Sequence, residues 1–222
     1  FELADLAAAR SAAAVRISWP AIFLKAYGLI AAEVPELRQT WHRWPVAHLY
    51  QHPQSVGALA VQRQYRGEPW LFWAQIPEPE SLSLAEIQRR IDEFQTGDVR
   101  KLFRKQLKLA QLPTPARRLI WAWNLHAEKS RRACRLGTFF LSSLSGQGTE
   151  IQIPPSIHTG CLTYGPVDCS GDVRVTLAYD HRVMDGDCVA RCLARLESTL
   201  CETLRLEVLK PGTTHTNIRA AA

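Results

Sequence analysis

The sequence of 222 residues lacks any apolar run long enough to span a membrane, which needs about 18 consecutive uncharged residues. Its longest apolar stretch, from Trp19 to Val34, is interrupted by Lys25, Gly28 and Glu33. It also lacks a recognisable signal peptide and an initiating methionine, because the first residue is Phe1. We therefore expect further sequence upstream of Phe1 and a cytoplasmic location.

The six cysteines include no C-x-x-C pair, so the usual signature of a zinc or redox site is missing. Cys188 and Cys192 lie four residues apart in a stretch with helical periodicity, and such cysteines are usually small buried hydrophobic residues. We favour this structural role over a disulfide or a metal site, and we predict no bound metal. The pattern fits a reducing compartment.

Acidic residues are almost missing from one segment. The whole chain holds 27 Lys and Arg against 21 Asp and Glu, which gives a net charge of +6. Between Val99 and Arg135 there are eleven Lys and Arg but a single acid, Glu128, so this segment carries +10 and the other 185 residues together carry −4. The basic character is local, which indicates an acidic partner for this segment and argues against nucleic-acid binding.

Apolar residues are plentiful, at 46% of the chain, so a packed core can form. Periodicity and capping signals predict these helices: Glu2–Ala14, a helix from Ser18 that ends at Pro35, Leu84–Phe94, Val99–Gln111, a piece after Pro115, and Asp187–Leu204. Apolar alternation predicts these strands: Ser55–Tyr65, Trp70–Ile76, Thr138–Leu144, Gly160–Tyr164 and Val173–Tyr179. Because helices and strands do not alternate regularly, we predict an α+β fold with two layers.

The residues suited to chemistry gather after the last predicted strand, in the stretch 179–186 with the sequence YDHRVMDG. His181 stands just after the strand, Asp185 follows four residues later, and Gly186 leads into a helix. A histidine on such a rigid support can act as a base. On residue types alone a structural histidine is the more common outcome, because Asp-Gly is frequent in turns.

The form Asp-His-Arg-x-x-Asp-Gly closely resembles the signature of the acyltransferase component of 2-oxoacid dehydrogenase complexes, the dihydrolipoamide acyltransferases, which are relatives of chloramphenicol acetyltransferase. All five fixed positions are present, namely Asp180, His181, Arg182, Asp185 and Gly186. Other stretches in the same order are also similar to that family: the opening 1–41, the helix start 83–87, the strand 137–144, the paired prolines Pro154 and Pro155, and the closing helix 189–200.

The resemblance implies a chloramphenicol acetyltransferase-like two-layer fold, with a mixed sheet packed by helices on one side and Val173–Tyr179 as a central strand. It implies one catalytic domain over residues 1–210, followed by a tail at 211–222. It also implies a homotrimer with each active site at a subunit interface, where two substrates enter a channel from opposite ends.

The resemblance further implies acyl transfer from a thioester, which is acyl-CoA, acyl-lipoamide or an acyl carrier protein, to a thiol or hydroxyl. His181 is then the general base and Ser142 the donor to the oxyanion, with Ser143 the less favoured choice. Asp185 is a structural carboxylate that holds the site through an ion pair. The acyl thioester is a co-substrate, and no covalently bound cofactor is expected. In the assembled site we expect His181 to lie about one reacting atom from Ser142.

Several features depart from the family. The sequence holds no lipoyl or peripheral-subunit-binding domain, and Ser145-Gly-Gln-Gly148 stands where the family has a hydrophobic loop. Residues 101–136 form a basic, Trp-containing insertion. These departures favour a stand-alone acyltransferase. The alternative is a catalytically silent member of the family that serves as a trimeric scaffold or binding module.

Three roles remain open for the insertion, in which the stretch Pro115–Leu125 interleaves tryptophan and leucine with arginine. It could lie on a membrane surface, which would make the protein peripheral there. It could bind an acidic acyl carrier protein or the phosphates of coenzyme A. It could also pack its aromatic residues on the core and expose a solvated basic face. We predict no nucleic-acid partner, because no recognised nucleic-acid-binding motif accompanies it.

The other histidines carry weaker signals. His42, His48 and His52 do not have the spacing of a metal site, so we interpret them as surface or packing residues. His158 could line a pocket, although a structural role is favoured.

Overall fold

A computed structural model of the chain describes residues 1–127, 129–152 and 156–209. The helices are α1 (Ala4–Ala12), α2 (Trp19–Glu33), α3 (Leu84–Thr96), α4 (Val99–Leu102), α5 (Arg104–Ala110), α6 (Thr114–Ala122), α7 (Lys129–Leu136), α8 (Gly186–Ser198) and α9 (Arg205–Leu209). The strands are β1 (Gln39–His42), β2 (His48–Gln51), β3 (Val56–Tyr65), β4 (Glu68–Pro77), β5 (Phe139–Ser142), β6 (Gly160–Tyr164) and β7 (Val175–Tyr179). The paired prolines at 154 and 155 and the tail at 211–222 lie outside the described residues.

Strands β3 to β7 form one mixed sheet in the order β4-β3-β5-β6-β7, and β1 and β2 form a separate hairpin. The pairs β3–β5 and β5–β6 are parallel, whereas β3–β4 and β6–β7 are antiparallel. The β3–β4 hairpin turns at Arg66 and Gly67, whose φ angles of 56° and 82° suit a tight two-residue turn. The α+β class and the mixed sheet predicted from the sequence are confirmed.

The prediction that the strand 173–179 is central was wrong, because β7 lies at one edge of the sheet and pairs with β6 alone among the named strands. In β7 only Leu177 is buried, whereas every residue of β6 is buried. An edge strand has a neighbouring strand on one side only, which explains why the residues of β7 other than Leu177 are half-exposed. Its alternating sequence shows that one face is buried but does not show which strands flank it.

Most of the helices pack on one face of the sheet, as predicted, whereas α7 lies against the other face. The main core combines residues of α1, α2, α3 and α8 with one face of the strands. Helix α2 is buried along most of its length, and each of Ile22, Phe23 and Leu24 contributes about 2 kcal/mol of apolar burial as an upper estimate. Helix α2 approaches the sheet closely at Gly57, where a Cβ atom would lie 2.7 Å from Leu24 Cδ1.

The opposite face of the sheet carries a smaller apolar cluster of Ala58, Phe140 and Cys161, against which Trp73 packs. Helix α7 lies beside this face, in contact with β3 and β4. Two predicted helices differ in detail from the structure. The basic helix 99–111 is divided at Phe103 into α4 and α5. The C-terminal helix begins at Gly186 as α8, continues as a π-helix over Thr199–Leu204 and ends as α9.

Candidate active site

Backbone hydrogen bonds hold the motif in a tight turn just beyond β7. The Asp180 N–H donates to Thr159 O at 2.9 Å, and the N–H groups of Val183 and Met184 both donate to Asp180 O, at 2.9 and 3.2 Å. The side chain of Met184 is buried in the main core. The turn is therefore tied to β6 at one end and to the core at the other, which gives His181 a rigid support.

Asp180 and Arg182 form a two-contact ion pair on either side of His181. The Arg182 guanidinium donates to Asp180 Oδ1 at 2.8 Å and to Oδ2 at 2.6 Å. These hydrogen bonds hold the pKa of Asp180 below its usual value. The guanidinium carbon also lies 4.2 Å from the ring centroid of Trp41, a cation–π contact. Asp180 and Arg182 thus fix the turn to the β1–β2 hairpin.

The His181 side chain is exposed and is the chemically available member of the motif. Its ring lies 5.3 Å from the ring of Tyr179, measured between centroids. Among the described residues neither ring nitrogen of His181 has a hydrogen-bond partner. An imidazole in this state can accept a proton from a group that approaches from solvent.

Asp185 caps helix α8. Its Oδ1 accepts a hydrogen bond of 2.8 Å from the Cys188 N–H, the contact of an N-cap carboxylate with the first turn. The carboxylate is exposed, and its negative charge is favourable at this end of the helix. Asp185 therefore defines where the motif turn ends and where α8 begins.

Two adjacent serines at the end of β5 differ in how their hydroxyls are used. The Ser143 hydroxyl lies 2.9 Å from both Tyr164 O and Ser145 Oγ, and it accepts from the Ser145 N–H at 3.0 Å. Ser142 is half-buried, and among the described residues its hydroxyl has no hydrogen-bond partner. Ser142 is thus the serine of the two whose O–H remains available to a ligand.

Within one chain, Ser142 and His181 lie at opposite ends of the sheet. Strand β5 is parallel to β6, and Ser142 at the end of β5 pairs with Thr163 near the end of β6. Strand β7 is antiparallel to β6, so Tyr179 at the end of β7 pairs with Gly160 at the start of β6. Three residues of strand, about 10 Å, separate Thr163 from Gly160, and the strands β5 and β7 are about 10 Å apart. His181 lies two residues further on. One chain therefore does not place both side chains on the same reacting atom.

A buried polar cluster adjoins the turn on the side of the β1–β2 hairpin. Thr40 Oγ1 lies 3.0 Å from His42 Nε2 and 3.1 Å from His52 Nε2, and all three side chains are buried. A hydroxyl has one hydrogen, so Thr40 donates to one ring and accepts from the other, and two neutral rings then carry opposite tautomers. The remaining Nδ1 atoms of both rings have no partner among the described residues.

Burial keeps these histidines neutral. It lowers the pKa of His42 and of His52 to about 4, and the positive charge of Arg132 adds to the effect. Arg132 is itself buried and donates to Ile157 O at 2.7 Å and to Leu125 O at 3.3 Å. Sequence reasoning missed Arg132, which reads as one more cation of the basic segment. Arg132 precedes Leu136 by four residues and is adjacent to Ala133, and this spacing is typical of the buried face of a helix.

His158 has a structural environment. Its Nε2 lies 2.8 Å from Leu136 O, and its ring stacks on Phe140 with centroids 5.7 Å apart. Burial lowers its pKa to about 4. The favoured structural interpretation of this residue, and the packing interpretation of His42 and His52, agree with these contacts.

The described residues bring together no group of three or more side chains suited to a metal ion. All six cysteines are free thiols, and Cys161 and Cys192 are buried like small hydrophobic residues. In the part of the chain that the structure describes, no helix has both the length and the apolar character to cross a bilayer.

Comparison with solved structures finds several that share this architecture. A probable dihydrolipoamide acetyltransferase from Listeria monocytogenes matches 96% of this chain over 83% of its own, with 17% identity and a TM-score of 0.59. The dihydrolipoamide acetyltransferase of Azotobacter vinelandii matches 94% over 78%, with 18% identity and a TM-score of 0.54. In that enzyme a serine, a histidine and an asparagine have been studied for their roles in the catalytic mechanism.

A chloramphenicol acetyltransferase matches 90% of this chain over 84% of its own, with 14% identity and a TM-score of 0.52. No protein-family model matches the sequence, and no curated protein matches it either. The helices on one face, the mixed sheet and these structural matches agree with one another. The chain therefore has the fold shared by dihydrolipoamide acetyltransferase catalytic domains and chloramphenicol acetyltransferase.

Proposed function

We propose that residues 1–210 form the catalytic domain of an acyltransferase. It moves an acyl group from a thioester, carried by coenzyme A, lipoamide or an acyl carrier protein, to a thiol or hydroxyl acceptor. The observation that carries this proposal is His181, an exposed imidazole without a hydrogen-bond partner among the described residues. It stands on a turn that is held by the contacts of Asp180, Arg182 and Asp185. The fold, shared with acetyltransferases, supports the same reaction class.

In this mechanism His181 is the general base. A neutral ring nitrogen takes the proton from the acceptor S–H or O–H while that atom attacks the thioester carbonyl carbon, which becomes tetrahedral. The new bond forms as the carbonyl π electrons move to oxygen. Collapse of this intermediate breaks the carbon–sulfur bond, and the departing thiolate receives the proton held by the imidazolium. The proton is thus returned, and His181 ends neutral.

Ser142 supplies the donor for the oxyanion. Its free hydroxyl is suited to this role, whereas the Ser143 hydroxyl is already committed to Tyr164 O and Ser145. A prepositioned donor is worth most at the atom where negative charge develops. The solved Azotobacter enzyme, in which a serine and a histidine have been studied for catalysis, supports the same pairing of residue types.

The site is shared between two chains of a homotrimer. Because His181 and Ser142 lie at opposite ends of one sheet, the His181 of one subunit must meet the Ser142 of the next for both to act on one carbonyl. A closed ring of three such contacts gives three complete sites. A further structural match, to the cubic core of the pyruvate dehydrogenase multienzyme complex, supports assembly of this chain.

The test of the proposal is thioester cleavage. The protein is incubated with a panel of acyl-CoA, acyl-lipoamide and acyl-phosphopantetheine thioesters and with thiol or hydroxyl acceptors, and release of the free thiol is followed. We expect turnover of at least one donor. With that donor, His181→Ala should lower kcat by roughly 10²–10⁴-fold, the usual contribution of a positioned base, with little change in KM.

His126→Ala is the matched control, because His126 is an exposed histidine outside the motif and should leave kcat unchanged. Full activity in His181→Ala would exclude His181 as the base. If a trimeric protein cleaves none of the thioesters, the silent scaffold becomes the better account of this chain.

A further inference from the structure

The basic segment divides into a packed half and an exposed half. In the first half, α4 and α5 bury Val99, Phe103 and Leu107 in the main core. The ring of Phe103 stacks on that of Phe72 with centroids 4.5 Å apart. The apolar residues of α4 and α5 thus pack on the core, and the lysines and arginines of these helices face solvent.

Helix α6 behaves differently, because none of its residues is buried. Ala116, Leu119, Ile120 and Trp123 follow the i, i+3, i+4, i+7 spacing that places side chains on one helix face. In a surface helix such an apolar stripe normally packs on the core. Here Leu119 is 71% exposed, Trp123 58% and Ile120 37%. The principal contact of α6 is with the helical turn that continues it, Trp123–Ala127.

Positive charge surrounds this apolar face. Arg117 and Arg118 belong to α6 itself, and Arg131 lies on the following helix α7. From Val99 to Arg135 the sequence holds eleven Lys and Arg against one acid, Glu128, and only Arg132 among the described cations is buried. The surface formed by Arg117 to Trp123 is thus both apolar and cationic, and we name it the α6 surface.

We propose that the α6 surface binds the face of an anionic phospholipid bilayer. Leucine and tryptophan enter the boundary between headgroups and acyl chains, and the flanking arginines contact lipid phosphates. Contact of this surface with the same surface of a second copy would bring like charges together, and contact with another face of a neighbouring copy is an outcome of the test below. A partner surface that is acidic throughout would satisfy the arginines but would leave exposed Leu119 without an apolar environment, which favours a partner with anionic groups over an apolar layer. This inference is independent of the proposed acyl transfer.

Vesicle flotation of the full chain tests the proposal. One set of vesicles contains phosphatidylcholine and phosphatidylglycerol, and the other contains phosphatidylcholine alone. We expect the protein to float with the anionic vesicles only, and less so as salt is added. Leu119→Glu should lower the bound fraction roughly tenfold or more, and Arg118→Ser should lower it about fivefold.

Matched controls separate the α6 surface from general effects. Leu206→Glu changes another leucine that is 55% exposed, on α9, and Arg66→Ser changes an arginine in the β3–β4 turn, so both should float like the unmodified chain. Equal losses in these controls, or no preference for anionic vesicles, would overturn the proposal. A change in oligomeric mass caused by Leu119→Glu would also overturn it, because the α6 surface would then contact a second copy of the chain. Binding of polyglutamate that competes with vesicles and does not depend on Leu119 would overturn it as well, because the partner would then be an acidic polymer.

Discussion

Asp180 and Arg182 hold each other through two short hydrogen bonds, whereas the His181 ring between them has no hydrogen-bond partner among the described residues. The motif thus separates residues that fix the turn from one residue that can exchange a proton. At β5 the adjacent serines divide in the same way, because Ser143 is tied to its neighbours and Ser142 is not.

Replacing the serines one at a time tests this division. Ser142→Ala should lower kcat on the order of 10²-fold and leave KM for the thioester little changed, because the oxyanion contact is made in the transition state. Ser143→Ala removes hydrogen bonds that support the loop after β5, so it should lower the melting temperature and keep most of kcat. Steady-state kinetics and thermal unfolding of both variants check this, and the reverse pattern would assign the oxyanion donor to Ser143.

The buried histidines make stability depend on pH. His42, His52 and His158 have a folded-state pKa of about 4, below the ordinary value of about 6.5 in the unfolded chain. Between these values the unfolded chain binds more protons, so stability is present above pH 6.5 and is lost as the pH falls toward 4. Glu80, whose pKa burial raises, opposes this by at most one proton.

The expected slope near pH 5 corresponds to roughly two to three protons, or about 3 kcal/mol per pH unit. Urea unfolding at a series of pH values between 7 and 5 measures it. His158→Gln should reduce the slope by about one proton. Constant stability over this range would contradict the neutral, buried state of the three rings.

Among the secondary-structure elements, the sequence predicts where strands and helices lie in the chain better than it predicts which strands are adjacent in the sheet. The limits of β6 agree with the prediction, because all five of its residues are apolar or small and are buried. The edge position of β7 was not predictable, since alternation reports a buried face but not the number of paired strands. The four-residue strands β1 and β2 were missed, because they are too short to show a period.

The site could be predicted only in part for the same reason. The motif residues and Ser142 follow from the resemblance, but their placement at opposite sheet ends depends on strand direction. Neither the Thr40 link between His42 and His52 nor the burial of Arg132 has a local signature that separates them from surface polar residues. Both depend on contacts between segments that are distant in the chain.

The start of α8 offers a prediction at this scale. Asp185→Ala removes the N-cap and should cost about 1 kcal/mol of stability, whereas Asp185→Asn should cost a few tenths, because asparagine also caps helices well. Asp98→Ala, which removes the cap of α4, is the matched control with a similar cost. Asp185 ends the turn that carries His181, whereas Asp98 is outside the motif. Asp185→Ala should therefore also lower kcat, and Asp98→Ala should not. Equal kcat in the two alanine variants would limit Asp185 to a purely structural role.

In the molecule as a whole, one chain cannot complete the proposed active site. The sheet directions separate His181 from Ser142, and the proposed trimer would bring together the two residues from different chains. Light scattering should therefore give the mass of three chains at micromolar concentration. The α6 surface lies outside this requirement, and its proposed contact with lipid would be a separate attachment.

Complementation between two inactive variants measures this claim most directly. His181→Ala and Ser142→Ala are unfolded, mixed in equal amounts and refolded together, and kcat is compared with each variant refolded alone. A site shared between subunits is intact wherever a chain with His181 meets a chain with Ser142, so random mixing should restore about one quarter of the wild-type activity. If the mixture is no more active than the average of its two components, both residues do not act across a subunit interface, and the shared site is contradicted.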